Sequence, residues 1–174
     1  MTLGFSTHWP DKMGELAGKP TYFVDKIWKG LIKESVLDVC DEYDYQCMHL
    51  KRFCRYWDEA KPIVPKLHTI RHGQRWKKGM KIHMVIHNRT KKRFQFTQVL
   101  ECTGVQNVEI DHWWYDEEKT AANFPTVKID DRLLDWTEIE YLALNDGFPS
   151  VEDFFKLFDS DFKGQIIHWT NLKY

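Results

Sequence analysis

The sequence predicts one α+β domain in which consecutive antiparallel strands curl into a small barrel or sheet, flanked by helices near both ends of the chain. Three observations predict it. Apolar residues at helical spacing are confined to residues 21–60 and 135–158, the stretch between them alternates with a period of two, and no repeat, low-complexity tract or linker divides the 174 residues. A chain of that length buries a sizeable core without staples.

Residues 2–6 alternate modestly and read as a first strand. Pro10, Gly14, Gly18 and Pro20 make residues 8–20 a loop. Thr21 is a suitable N-cap for an amphipathic helix over 21–33, with Phe23, Ile27, Gly30 and Leu31 on one stripe and Trp28 beside it. Residues 34–60 read as a long helix on which Cys40, Cys47 and Cys54 recur seven apart, beside Val36, Tyr43, Leu50 and Trp57. Sulfurs two turns apart, ~10 Å, cannot share a metal with bonds of ~2.3 Å, so these cysteines are expected as small buried residues on a packing face. Pro62 and Pro65 end the helix.

A short strand around Thr69 and Ile70 follows, with Lys66, His68 and Arg71 on or beside it, and then a glycine-bounded loop from Gly73 to Gly79. Residues 80–88 and 93–102 alternate as a hairpin about a polar turn at 88–92, and Thr103-Gly104 interrupts the run as a bulge. Residues 105–113 continue as strand, 114–123 as loop, and 124–134 hold a short strand centred on Val127 and Ile129. Asp135 or Thr137 caps a helix that Gly147 stops, Ser150 opens a second with Phe154, Phe155, Leu157 and Phe158 as core, and 164–170 close as strand.

The net charge of −1 conceals an asymmetry: residues 61–100 contain no Asp or Glu. That window carries Lys61, Lys66, Arg71, Arg75, Lys77, Lys78, Lys81, Arg89, Lys91, Lys92 and Arg93, the footprint of a polyanion-binding face or of a solvated face answered by neighbouring acids. Trp76 between Arg75 and Lys77-Lys78 suits phosphate contact with base stacking; it would equally plug the end of a barrel. His83 and His87 lie ~13 Å apart on one strand, beyond one metal's reach, and neither metal nor cofactor is expected. The four cysteines form no CxxC pair, no charged-then-apolar leader opens the chain, and no apolar run approaches a membrane span. The expectation is a cytoplasmic protein with free thiols and no membrane partner; nothing sets an oligomeric state.

Lys66, Thr69 and Arg71 carry the clearest chemistry. Thr69 and Arg71 face the same way on a strand, and Lys66 joins them only if the strand starts after it, which Pro65 favours. A lysine of depressed pKa can take a hydroxyl proton and make a threonine nucleophilic, with a carboxylate supplied from elsewhere. A basic strand with a buried threonine is the alternative.

The run Lys66-Leu67-His68-Thr69-Ile70-Arg71, then Arg75-Trp76-Lys77-Lys78-Gly79-Met80-Lys81, resembles the ASCH family, a branch of the PUA-like barrels. Asn145-Asp146-Gly147-Phe148, followed by Ser150-Val151-Glu152-Asp153-Phe154, looks like that family's acidic-Gly-Phe turn and its helix. The resemblance covers most of the chain, 1–174 as a single domain, with residues 34–64 as a helical insertion before the signature strand. It implies RNA or nucleoside binding in a cleft at the barrel's mouth, with Arg71 matching the family's arginine as a ligand contact; the basic run itself adds His68, Arg75, Trp76, Lys77, Lys78 and Lys81 as candidate contacts. In the small ASCH amidohydrolases that act on N(4)-acetylcytidine, a lysine, a threonine and a glutamate are catalytic. By position these are Lys66, Thr69 and Asp146, the last one methylene shorter than the family's acid. Three functions follow as expectations: an RNA- or nucleotide-binding domain, an amidohydrolase on acylated nucleobases, and a protein-interaction module whose basic face meets an acidic partner.

Overall fold

The computed structural model describes residues 1–59, 64–112 and 125–174. Strand β1 (Thr2–Phe5) leads through a 3-10 turn (Asp11–Leu16) to helix α1 (Phe23–Lys33). On α1, Val24, Ile27, Trp28 and Leu31 recur at helical spacing and are buried, and the Trp28 indole donates to the Phe96 carbonyl at 3.0 Å. Tyr22, at φ 58°, stands at the N-cap position, and the Thr21 hydroxyl accepts the Phe23 amide at 3.3 Å.

Helix α2 (Val39–Phe53) is shorter than the expected helix over 34–60. Asp38 caps it, accepting from the amides of Cys40 and Asp41, and Cys54 ends it in the left-handed region at φ 58°. The expectation of buried cysteines is corrected: Cys40 and Cys54 are exposed and Cys47 is half-buried. The inward stripe runs instead through Glu42, Tyr45, His49 and Phe53, whose larger side chains cover more of the core.

Strand β2 (His68–His72) is followed by β3 (Lys81–Ile86), which pairs in parallel with β1 from Thr2↔His83 to Phe5↔Ile86. β4 (Phe94–Gln95) and β5 (Leu100–Glu101) lie antiparallel along β3 as the expected hairpin. At Cys102-Thr103 the chain turns a corner, because the Cys102 amide bonds to Met80, just before β3, and the Thr103 amide to His168, at the end of the last strand. β6 (Gly104–Asp111), β7 (Thr126–Ile129) and β8 (Arg132–Leu133) then precede helices α3 (Trp136–Asn145) and α4 (Val151–Leu157) and the last strand, β9 (Phe162–His168). Asp135 and Ser150 cap the two helices. The loop expected at 114–123 lies outside the described residues.

Two sheets result, one with β1, β3, β4 and β5 and one in the order β2-β9-β6-β7-β8. The second has both faces covered along β2 and the end of β9, while the face carrying Asn107, Glu109, Lys128 and Lys163 is polar and partly exposed. Ile166 packs with Val108, Ile110 and Val127 against α3 and α4, while its neighbour Ile167 packs with Trp169 toward α1 and the first sheet. The expected closed barrel is corrected. Among the described residues the strands form two separate sheets, and β1 and β2, edge strands of the two, share no backbone ladder, which leaves an open seam between them. No described helix is long and apolar enough to cross a membrane.

Candidate functional site

The open seam holds the site. Three backbone arrangements put Lys66, Asp146 and Thr69 there. Leaving Pro65, the chain stays out of the sheet until His68; the Lys66 amide instead donates to Lys26 of α1 at 2.9 Å and the Leu67 amide to Asn145 of α3 at 2.8 Å. Gly30 makes this threading possible, since a Cβ there would lie 2.8 Å from the Lys66 carbonyl oxygen. At the end of α3, the Gly147 amide bonds to Leu144 and the Phe148 amide to Ala143, with Gly147 at φ +88°. That paired closure on a left-handed glycine fixes Asp146 at the helix terminus, facing the seam. Thr69 and Arg71 share the face of β2 that carries Ile167 and Gln165 on its partner strand.

The Lys66 ammonium donates to both the carboxylate and the main-chain carbonyl of Asp146, and sits 4.8 Å from the centre of the Phe23 ring. The pair is buried: Lys66 is 2 % and Asp146 4 % exposed. Burial pulls the Lys66 pKa down to about 8 despite the attraction of Asp146, and Arg71 and Lys26 push it the same way. Burial likewise raises the Asp146 carboxyl, opposed by Lys66 and Arg71. Lys26, also lowered by burial, donates to the Gly147 carbonyl at 2.8 Å. The Arg71 guanidinium crosses the seam to the Gly4 carbonyl at 2.7 Å and lies 5.4 Å from the Phe5 ring centre; among the described residues its other N–H groups make no hydrogen bond. Thr69 is buried, yet among the described residues its hydroxyl makes no hydrogen bond.

Lys66, Thr69, Arg71 and Asp146 line one cavity of about 430 Å³, within the size range of small-molecule sites. Its walls are aromatic, from Phe5, Trp9, Phe23, Phe148 and Phe158. The arrangement offers a planar ligand apolar faces, and it offers a carbonyl or hydroxyl both cationic donors and a free hydroxyl. The sequence reading missed the wall from Trp9, which sits in a Pro/Gly-punctuated loop without periodicity. It also missed Lys26, whose position on α1 reads as an ordinary helix cation.

The remaining sequence-predicted ligand residues are elsewhere. His68 lies on the opposite face of β2, its ring 5.7 Å from His168 and 5.4 Å from Tyr174, and burial holds its pKa well below the usual value. Trp76 is core: it is 6 % exposed, and its amide and carbonyl both bond the Gln165 side chain. Arg75, Lys77 and Lys78 are exposed around it, and Lys81 pairs with Glu101 at 3.1 Å. None of these six lines the cavity. The basic window therefore does not fold into one face. Lys66 and Arg71 are inside the seam, while the exposed cations divide between the two ends of β3, ~20 Å apart for a strand of six residues. Compared with protein-family models, curated proteins and solved structures, the chain matches none.

Proposed function

We propose that this protein is an ASCH-like, RNA- or nucleotide-binding domain whose seam cavity takes a nucleobase. One observation carries the reading: a buried Lys66–Asp146 pair, an unbonded Thr69 hydroxyl and the Arg71 guanidinium share a single cavity with aromatic walls. Such a site satisfies a planar ring on its faces and its carbonyl and exocyclic groups at the edge, as recognition of an unstacked base requires. In this reading the PUA-like barrel is opened between β1 and β2, and the opening is the binding cleft. Methyl and amide chemical-shift mapping with cytidine and with N(4)-acetylcytidine tests it. Shifts at Thr69 and Ile70, with Leu100, which does not line the cavity, unmoved, support base binding in the seam. Absence of shifts with either nucleoside overturns it.

A second reading is favoured by the lowered Lys66 pKa of about 8 in the cavity that Thr69 also lines. In an amidohydrolase acting on N(4)-acetylcytidine, the Thr69 hydroxyl oxygen forms a bond to the acetyl carbon as its proton passes to neutral Lys66. The carbon–nitrogen bond then breaks, and the cytidine amine leaves with the proton returned by Lys66. Water hydrolyses the acetyl-threonine ester, releasing acetate and restoring the hydroxyl. Asp146, bound to the ammonium, steadies the protonated form of Lys66 through the step. Acetate release that rises with pH toward about 8 and disappears in Lys66→Ala and Thr69→Ala supports this reading; equal rates in parent and variants remove it.

A further inference from the structure

We infer that the C-terminal turn of α2 and the β3–β4 turn form one phosphate-binding surface, and that the ligand is a single-stranded nucleic acid with its backbone on that surface and one base in the seam. The inference rests on the nucleobase reading of the cavity and adds that an oligonucleotide, rather than a free nucleoside, is the ligand.

Lys51 and Arg52 are exposed at the end of α2, and the Arg52 guanidinium donates to the Lys91 carbonyl at 2.7 Å, tying the helix to the turn. The turn is itself braced. The Thr90 hydroxyl donates to the His87 carbonyl at 2.8 Å and accepts from the Lys92 amide at 3.1 Å, while the Arg93 amide bonds back to Thr90 at 3.1 Å. Arg89, Lys91, Lys92 and Arg93 are thus displayed on a hydrogen-bonded loop, all exposed. Among the described residues none of these six cations is in an ion pair; nearby Arg55 is, with Asp58 at 4.0 Å. Rings of His49, Phe53 and Phe94 pack beneath at 4.6 to 5.7 Å, which gives the surface a stiff floor.

The surface borders the cavity by way of Arg55, His49 and His87. A narrow cleft of about 30 Å³ runs from these three to Ser6, Thr21 and Phe23, and those last three residues are also part of the cavity wall. None of the surface's six cations lines either space. The other exposed cluster, Arg75, Lys77 and Lys78, lies at the far end of β3 around a Trp76 already committed to the core. A row of unpaired cations beside an aromatic cavity of about 430 Å³ fits alternating phosphates and bases. An acidic protein segment would satisfy the cations and leave the cavity without an occupant.

The test is fluorescence anisotropy of a labelled, mixed-sequence RNA of about ten nucleotides across a salt series, beside calorimetric titration of cytidine. Two charge-reversal sets are compared, Lys51→Glu/Lys91→Glu/Lys92→Glu and Arg75→Glu/Lys77→Glu/Lys78→Glu, with thermal melting to confirm folding. The first set is expected to flatten the logarithmic salt slope by about 2, at roughly 0.7 per lost phosphate contact. Between about 50 and 200 mM salt the parent then loses ~20-fold more affinity than the variant. Cytidine binding stays unchanged, and the second set keeps the parent slope. RNA that binds no tighter than cytidine, or equal flattening by both sets, overturns the inference and leaves the cavity reading standing. Failure of cytidine and RNA alike to bind the parent overturns both. Displacement of the RNA by polyglutamate as readily as by unlabelled RNA overturns it in favour of an acidic protein partner.

Discussion

Asp146→Asn removes the anion of the buried pair and leaves its lysine stranded. Lys66 is 2 % exposed and so poorly solvated, and Arg71 and Lys26 are the charges left around it. Breaking a buried pair from one side costs about 3–5 kcal/mol. Lys66 can escape part of that by releasing its proton. Bringing a lysine from its ordinary 10.5 down to neutrality at pH 7 corresponds to about 5 kcal/mol at about 1.36 kcal/mol per pKa unit, the same range. Lys66→Met leaves Asp146 with Arg71 for compensation and is expected to cost less. The double variant Lys66→Met/Asp146→Asn removes both charges and should be more stable than Asp146→Asn alone, with a coupling of at least about 2 kcal/mol. Urea unfolding at pH 7 with all four proteins measures this. A double variant whose cost is the sum of the two single costs would refute the argument that these groups act as one desolvated pair.

The pH dependence has a definite sign. The folded Lys66 pKa, about 8, is below the ordinary 10.5, so between those values the unfolded chain binds the proton and the folded one does not. Its contribution to stability therefore rises with pH through that window, and the rise is absent in Lys66→Met. Gly147→Ala places a side chain at φ +88° with its Cβ 3.0 Å from Phe23 and 3.2 Å from Lys66. It should cost about 1–2 kcal/mol by chemical denaturation and weaken cytidine binding by displacing Lys66. Gly30→Ala, expected from helix propensity to stabilise by about 1 kcal/mol, should instead lower the melting temperature, because its Cβ meets the Lys66 carbonyl at 2.8 Å. Trp76→Ala should cost about 3–5 kcal/mol while leaving the RNA salt slope unaltered, as befits a core residue. Cys40→Ser, at an exposed position, should change stability by less than about 0.5 kcal/mol.

Much of the architecture was legible because local rules and tertiary packing agree. The alternation of Ile82, Met84 and Ile86, the caps at Asp135 and Ser150, and the glycine stop at Gly147 all act within a few residues of themselves. Pro65 signalled the late start of β2, and so the side on which Lys66 would emerge. The cysteine stripe misled because a seven-residue spacing says which residues share a stripe, not which stripe turns inward. On α2 that was decided by Tyr45, His49 and Phe53 meeting partners such as Trp28 and Phe94, which are distant in sequence. Barrel closure failed for a related reason: edge pairing between β1 and β2 depends on a contact across more than sixty positions, and an arginine occupies it. The acid-free window was visible as charge. Its division between the two ends of β3 follows from the hairpin's dimensions, which a linear count of cations does not contain.

The central claim is that the seam recognises a base through Thr69 among its polar groups. Calorimetric titration of N(4)-acetylcytidine into the parent and into Thr69→Val tests it most directly, since valine keeps the shape and deletes the hydroxyl. The parent should bind, and the variant should bind about tenfold more weakly, the worth of one hydrogen bond of about 1.4 kcal/mol, at unchanged melting temperature. Equal affinity in the two proteins, or no binding by the parent, would contradict the account.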